Sequence, residues 1–274
     1  MAGQARYLIK ADLHNYGQTS NNIDEGFERI VQISHERLGS KGVVGIVDVQ
    51  EERFSKFKKN TDVSGYEDLG HALYFPEKDI LVLRGVRTFT RDDSKSLLVF
   101  GMNEGQYLKR GDDVGDMIKE AREVHNGVII ATEGQPLVEY FSLSRNYPAL
   151  KMIDAVETFN GSYSLMPTLN QYSERFFEKQ KNAGLNLGSM VSSGGHSLYE
   201  IGLSWMQIPQ IDKTNNLTIT ESLRESLKYQ RHPATEKRNG SAFVKAMAVR
   251  HGLALKYWWA EKSKERQIIN DIAQ

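Results

Sequence analysis

Cysteine is absent from the 274-residue sequence. Disulfides, thiolate zinc sites, iron–sulfur clusters and a cysteine nucleophile are therefore excluded. A net charge is also lacking, because 35 Lys and Arg residues balance 35 Asp and Glu residues, so no global field favours a polyanion or a membrane as partner. No apolar run approaches the roughly 18 residues that cross a membrane, and the first residues contain no apolar signal segment. We expect an intracellular, cytoplasmic protein without membrane contact, although a cysteine-free chain also suits oxidising compartments.

Short apolar runs alternate with helix-length segments along most of the sequence. The runs that predict strands are 7–13, 43–49, 80–86, 97–100, 128–131, 153–157, 187–191 and 203–208. The segments that predict helices are 23–38, 114–125, 168–183 and 220–230, the last with a helix start at Thr220. Strands that are apolar throughout and separated by helices indicate parallel pairing. Roughly seven or eight such units favour a closed or nearly closed α/β barrel, with an open doubly wound sheet as the alternative.

The sequence changes character near its end, which predicts a barrel over residues 1–232 and a helical extension over residues 233–274. Residues 231–274 hold 9 Lys and Arg but only 4 Asp and Glu. The extension also carries Tyr257, Trp258 and Trp259. Basic and aromatic side chains together favour either binding of single-stranded nucleic acid or packing on the barrel or a partner subunit. We expect packing, so oligomer formation or a protein partner through this extension is the prediction.

Polar and ionisable side chains follow six of the predicted strands. They are Asp12, His14 and Tyr16 at the first strand, Asp48 at the second, Arg87 at the third, Thr132 and Glu133 at the fifth, Glu157 and Asn160 at the sixth, and Ser193 and His196 at the seventh. Functional side chains of α/β barrels lie at the carboxyl ends of the strands. The sequence therefore predicts that these groups converge on one pocket.

Several of these segments resemble, in the same order, motifs of the PHP (polymerase and histidinol phosphatase) superfamily. The matching segments are Asp12-Leu13-His14-Asn15-Tyr16, Gly45-Ile46-Val47-Asp48-Val49, Leu83-Arg84-Gly85-Val86-Arg87, Gly127-Val128-Ile129-Ile130-Ala131, Asp154-Ala155-Val156-Glu157 with Asn160, and Ser193-Gly194-Gly195-His196-Ser197. The resemblance covers about residues 5–230. It implies an α/β fold, a distorted (β/α)7 PHP-like barrel, here with a C-terminal helical extension. It also implies two or three metal ions that hydrolyse phosphate esters.

The departures from the family motifs fall on the implied metal ligands. Tyr16, Val49, Arg87 and Gly194 stand where the resemblance implies two histidines, a glutamate and an aspartate. Val49 and Gly194 offer no donor atom, and Arg87 places a permanent cation where a ligand would bind. A multinuclear centre needs several anionic or imidazole ligands, so a complete trinuclear centre is not expected.

His14 and His196 remain at ligand positions and are the predicted metal ligands. The predicted cofactor is one or two divalent ions, manganese, zinc or iron, or none at all. The predicted catalytic residues are His14, Asp48, Glu157 and His196. The predicted ligand-binding residues are Tyr16, Arg87, Glu133, Asn160 and Ser193.

Two roles for Arg87 are compatible with the sequence. Its guanidinium supplies positive charge in place of a metal and binds a phosphate or carboxylate together with Tyr16 and the two histidines. In the other interpretation it pairs with Glu157 or Asp48 and only neutralises the pocket, because buried charges need partners.

Three functions remain open. The first is a degenerate PHP-type phosphoesterase relative, a pseudoenzyme that binds a phosphate-containing ligand or a partner with weak or no hydrolysis. The second is an active metal-dependent hydrolase of phosphomonoesters or oligonucleotides with a reduced site of one or two metals. The third is a non-catalytic scaffold or assembly protein. The net charge does not indicate nucleic acid as a partner, although it permits one, and the fold alone does not choose among the three.

Overall fold

The computed structural model describes residues 7–16, 26–49, 53–90, 96–109, 113–132, 147–163 and 167–229. Its strands are β1 (Leu8–Asn15), β2 (Val43–Asp48), β3 (Glu67–Asp68), β4 (Ala72–Phe75), β5 (Ile80–Phe89), β6 (Ser96–Phe100), β7 (Val128–Ala131), β8 (Ala155–Asn160), β9 (Gly188–Ser192) and β10 (Met206–Pro209). Its helices are α1 (Glu28–Leu38), α2 (Arg53–Lys59), α3 (Val114–Glu123), α4 (Tyr147–Leu150), α5 (Pro167–Asn182) and α6 (Asn216–Tyr229). None of these helices combines the length and the hydropathy needed to cross a membrane.

The strands form one mixed sheet in the order β10-β1-β2-β5-β6-β7-β8-β9, with β4 beside β5 and β3 at the edge of β4. The parallel pairs are β1–β2, β2–β5, β7–β8 and β8–β9. β6 runs antiparallel to both of its neighbours, and β10 runs antiparallel to β1. The expectation of parallel pairing is therefore wrong for β6 and β10, because an apolar run reports burial on both faces and not strand direction.

The sheet nearly closes on itself beside the end of β1. Asn15 and Gly195 form a parallel β-bridge. The Tyr16 N–H donates to the Gly195 carbonyl at 2.7 Å, and the Gly195 N–H donates to the His14 carbonyl at 3.2 Å. The chain that leaves β9 is thereby joined to β1. The predicted distorted, nearly closed barrel is confirmed, and the open doubly wound alternative is wrong.

The predicted helices are present, but their ends differ from the prediction. α1 begins at Glu28 rather than at residue 23, and α6 begins at Asn216, before the predicted start at Thr220. Asn215 explains the start of α6, since its Oδ1 accepts the Thr218 N–H at 3.0 Å as a capping residue does. The predicted extension over residues 233–274, and with it the domain boundary, lies outside the described residues.

Alternation along the strands separates an inner core from two outer cores. The inner core takes side chains such as Leu13, Val47 and Leu83 from the strands, and Ile219 and Leu223 of α6 pack against it. One outer core lies between the sheet and α1 and α2, and the other lies under α3, α4 and α5. Inner-face side chains at the carboxyl ends of the parallel strands therefore share one opening, which we call the mouth.

Candidate functional site

Four side chains at the mouth form a continuous hydrogen-bonded chain. The Nδ1 atom of His14 lies 2.8 Å from Oε1 of Glu157, and its Nε2 atom lies 2.9 Å from the hydroxyl of Tyr16. A guanidinium N–H of Arg87 donates to the same Tyr16 hydroxyl. A carboxylate, an imidazole, a phenol and a guanidinium are thus connected in that order, and the sequence predicted all four as site residues.

The strands explain why these side chains meet. Arg87 lies on the same face of β5 as the inner-core residue Leu83, because residues an even number apart share a face of a strand. The pairing of β1 with β2 shifts register in the second half of β1. This irregularity lets His14 and Tyr16 reach the inner side that Leu13 also occupies.

Glu157 is held by more than His14. The Ser192 hydroxyl donates to Glu157 Oε1 at 2.5 Å, and the Asn160 amide donates to Glu157 Oε2 at 3.2 Å. The Glu157 and His14 side chains are both almost inaccessible to solvent. The carboxylate is therefore fixed in one orientation, and it fixes the imidazole ring in turn.

Arg87 is supported on its other side by hydroxyl groups. Its second terminal N–H group donates to Ser96 Oγ at 3.2 Å, and Ser96 Oγ lies 3.1 Å from the Thr132 hydroxyl. Arg87 itself is partly exposed, whereas Ser96 and Thr132 are buried. The guanidinium is therefore oriented from inside the barrel while part of it faces the mouth.

The charges of the chain are coupled. Burial would lower the pKa of His14, but the Glu157 carboxylate and the Tyr16 hydroxyl outweigh burial and raise this pKa to about 9. Burial would raise the pKa of Tyr16, but His14 and Arg87 outweigh it and lower this pKa. The pKa of Glu157 is also lowered, since His14 outweighs the effect of burial. The formal charge of the four groups is zero whether His14 or Tyr16 holds the shared proton.

His196 extends the site toward solvent. Its ring stacks against the Tyr16 ring with the centroids 4.6 Å apart and the planes at 35°. The side chain is exposed, whereas Tyr16 is buried beneath it. The Glu200 carboxylate accepts the backbone N–H groups of His196 and Ser197 and so fixes the turn that carries His196.

Two predicted site residues do not join this cluster. Asp48 lies on the outer side of β2, where its Oδ2 accepts from Nε of the fully buried Arg84 at 2.9 Å. Ser193 is turned away, since its hydroxyl exchanges hydrogen bonds with the backbone of Ser204. Glu133 lies outside the described residues. The interpretation that Arg87 neutralises Asp48 finds no support in this geometry, because Arg84 makes that ion pair.

Gly194 stands where the resemblance implies an aspartate, and the backbone there suits glycine. Its φ is +58°, a left-handed conformation that L side chains rarely adopt. A Cβ atom at this position would lie 1.9 Å from Asn160 Oδ1 and 2.7 Å from the Ser162 hydroxyl. Asn160 therefore occupies the space that any side chain at residue 194 would need.

Sequence reasoning missed a further cation at the site. Arg53 of α2 places its guanidinium carbon 5.8 Å from the centroid of the Tyr16 ring. No sequence signal distinguished it from a surface residue. Reasoning missed the role of Arg84 as well, but alternation within β5 could have separated outer-facing Arg84 from inner-facing Arg87.

The donor atoms around His14 bear on metal binding. Both ring nitrogens already contact protein groups, so an ion at His14 would have to displace Glu157 or Tyr16. Within the described ranges, which omit Glu133, no three His, Cys, Asp or Glu side chains are arranged to hold a metal ion.

The described strands form the nearly closed α/β barrel that the resemblance to the PHP superfamily implies, with a polar mouth. No protein-family model and no curated protein matches the sequence. The chain is similar to the crystal structure of PsfC from Pseudomonas syringae PB-5123, with 11% identity and a TM-score of 0.61 over 90% of this chain and 99% of that chain.

A second similar structure is that of the lesion-specific endonuclease PfuEndoQ from Pyrococcus furiosus, with 10% identity and a TM-score of 0.51. The match covers 84% of this chain but only 57% of that chain. A two-domain protein from Bacteroides vulgatus that contains a PHP-like metal-dependent phosphoesterase has 14% identity and a TM-score of 0.48, over 82% of this chain and 64% of that chain. At such identities the first two likenesses show a shared fold alone.

Proposed function

We propose that the protein binds a phosphate-containing ligand at the mouth, with weak or no hydrolysis. The observation that carries the proposal is the chain from Arg87 through Tyr16 and His14 to Glu157. It places the permanent positive charge of Arg87 at the mouth, while the buried His14 and Glu157 are hydrogen-bonded to each other behind it. A guanidinium binds phosphate oxygens through paired, charge-assisted hydrogen bonds.

The contacts of His14 support anion binding over a multinuclear metal centre. Its two ring nitrogens contact Glu157 and Tyr16. Arg87 donates to the same Tyr16 hydroxyl, and its positive charge would repel a divalent cation at His14. Gly194 has no side chain that could donate to a metal ion, and Asn160 occupies the space that such a side chain would need. As arranged, the described residues do not fit a multinuclear centre, and we assign no step to such a centre.

The reported activity of one structurally similar protein is compatible with this ligand class. PfuEndoQ is called a lesion-specific endonuclease, and nucleic acid presents phosphate groups to any protein that binds it. Fold similarity does not transfer that activity. We therefore propose the phosphate group, and not a nucleic acid sequence or lesion, as the feature recognised here.

Titration calorimetry with inorganic phosphate in metal-free buffer tests the proposal. We expect saturable binding by the wild type and at least about tenfold weaker binding by Arg87→Gln, which loses one charge-assisted partner. Arg175→Gln on α5 is the matched control, since it removes the same charge from an exposed helix position. Circular dichroism of each variant checks that the fold is retained.

Two results would contradict the proposal. One is phosphate binding that Arg87→Gln leaves unchanged. The other is efficient manganese-dependent hydrolysis of p-nitrophenyl phosphate that His14→Ala abolishes, because this would assign a working reduced metal site instead.

A further inference from the structure

Arg53 is the second guanidinium beside Tyr16. Its guanidinium carbon lies 5.8 Å from the centre of the phenol ring, within the range of a cation–π contact. Arg87 approaches the same residue at its hydroxyl. Two permanent cations from different elements, α2 and β5, are therefore separated by no more than one tyrosine side chain.

α2 is anchored, so the backbone of Arg53 has a defined place at the end of β2. Asp48 Oδ1 accepts the Phe54 N–H at 2.9 Å, while its Oδ2 is held by buried Arg84. The Phe54 ring is fully buried and packs against Phe27 with the centroids 5.0 Å apart. Asp48, at the position of a family motif, thus acts as a positioning residue for the helix that carries Arg53.

The other end of α2 is also tied to the barrel. The Lys58 ammonium lies 2.8 Å from carboxylate oxygens of both Asp68 and Glu104. A helix fixed at both ends presents its side chains with little loss of backbone entropy on binding. The Arg53 side chain is partly exposed, so it reaches the mouth from this fixed base.

The local charges favour an anion with more than one charged group. Glu157 is the acidic member of the hydrogen-bonded chain, and its oxygens contact His14, Ser192 and Asn160. Arg53 and Arg87 therefore add positive charge next to an acid that is already engaged. One planar guanidinium group can bind the oxygens of one phosphoryl group. Arg53 lies beside the ring of Tyr16 and Arg87 beside its hydroxyl, so the two arginines together can bind two phosphoryl groups.

We propose that Arg53 binds a second phosphoryl group, so that the preferred ligand is a pyrophosphate or a bisphosphate ester. This inference rests on the proposed function, in which Arg87 binds the first group. Arg53 then determines specificity between ligands with one and with two phosphoryl groups.

Calorimetry with inorganic phosphate and inorganic pyrophosphate, both in buffer with a chelator, tests the inference. We expect the wild type to bind pyrophosphate about tenfold or more tightly than phosphate. Arg53→Gln should lose most of this preference while phosphate affinity changes less than about twofold. Arg53→Lys should retain part of it, because the charge remains but the fork is lost. Arg175→Gln should leave both affinities unchanged.

The possible failures are distinguishable. Pyrophosphate affinity that is unchanged in Arg53→Gln overturns the inference. An equal loss for phosphate and pyrophosphate also overturns it, because Arg53 would then act on the first group. Failure of the wild type to bind phosphate, or insensitivity of phosphate binding to Arg87→Gln, overturns the proposed function itself.

Discussion

Tyr16 contacts four other side chains at the mouth. Its hydroxyl contacts His14 and Arg87, and its ring contacts His196 and Arg53. A histidine in its place could not make the same set of contacts, because a phenol both accepts from a guanidinium and reaches an imidazole nitrogen. Tyr16 therefore links the two arginines to the buried His14–Glu157 pair.

Substitution of Gly194 by alanine tests how closely the site is packed. The new Cβ atom meets Asn160 Oδ1, and the backbone must keep φ near +58°. We expect Gly194→Ala to lower the free energy of unfolding by about 2–5 kcal/mol, from left-handed strain and overpacking together. Urea unfolding followed by circular dichroism measures the change.

Gly184→Ala is the control for the backbone part of this effect. Gly184 also has a positive φ, +85°, but a Cβ atom there would meet no atom within 4 Å. It should cost about 1–2 kcal/mol. Equal losses for the two variants would mean that Asn160 does not close the space beside residue 194.

At the scale of elements, the eight apolar runs correspond to eight of the ten described strands, and only the short strands β3 and β4 were not predicted. β1, β2, β5, β7, β8 and β9 lie where the sequence predicted strands, so the convergence of His14, Arg87 and Glu157 was accessible to prediction. Strand direction was not, because the antiparallel course of β6 and β10 depends on partners that local periodicity does not report.

Residue-level partners were harder to predict than elements. The sequence suggested an ion pair between Asp48 and Arg87. Asp48 instead pairs with Arg84, because alternation along the strands places both side chains on the outer side of the sheet. His14 and Glu157 are separated by 143 positions, so the strand ends and the ordered family motifs predicted a shared pocket but not the hydrogen bond between these two side chains. Nothing local predicted that α2 would bring Arg53 over Tyr16.

Asp48→Asn tests the assignment of Asp48 to the anchoring of α2. Arg84 is fully buried, and it also donates to the backbone carbonyls of Met102, Asn103 and Gln106. Loss of the carboxylate leaves its charge inside the protein without a counter-ion, so the free energy of unfolding should fall by about 3–5 kcal/mol. Urea unfolding at neutral pH measures it.

Glu123→Gln provides the comparison for an exposed ion pair. Glu123 lies 3.9 Å from Lys119 on the surface of α3, and both side chains are more than half exposed. Its loss should change the free energy of unfolding by less than about 1 kcal/mol. An Asp48→Asn variant with wild-type stability would contradict the anchoring role and return Asp48 to the list of functional candidates.

At the scale of the whole molecule, closure of the barrel and formation of the site depend on the same segment. Asp12 accepts the Ser193 N–H at 2.9 Å and the Gly202 N–H at 2.7 Å, so the chain after β9 is fastened to β1. Gly195 completes the closure through its bridge to Asn15. The turn that carries His196 therefore takes its position from the closure itself, and anything that opens the barrel there also separates His196 from Tyr16.

The pH dependence of folding follows from two buried groups with opposite effects. Burial, together with the nearby charge of Arg84, lowers the pKa of His71 from 6.5 to about 4. The folded state therefore resists protonation of His71, and its stability is full above pH 6.5 and falls as the pH falls toward 4. Burial raises the pKa of Asp12 to about 6, despite its hydrogen bonds, so ionisation of Asp12 costs stability as the pH rises through 6.

His71→Gln separates the two effects. His71 is 2% exposed and its Nε2 lies 3.3 Å from the Thr220 hydroxyl of α6, so it links the β4 side of the barrel to the helix that covers the inner core. The His71 contribution should fall by about 2 kcal/mol between pH 7 and pH 5 in the wild type and vanish in His71→Gln, which leaves the opposing Asp12 contribution. Urea unfolding at the two pH values gives the difference for each protein. If His71→Gln loses as much stability on acidification as the wild type, His71 does not make the barrel acid-sensitive, and the link between β4 and α6 must be stable with a charged ring.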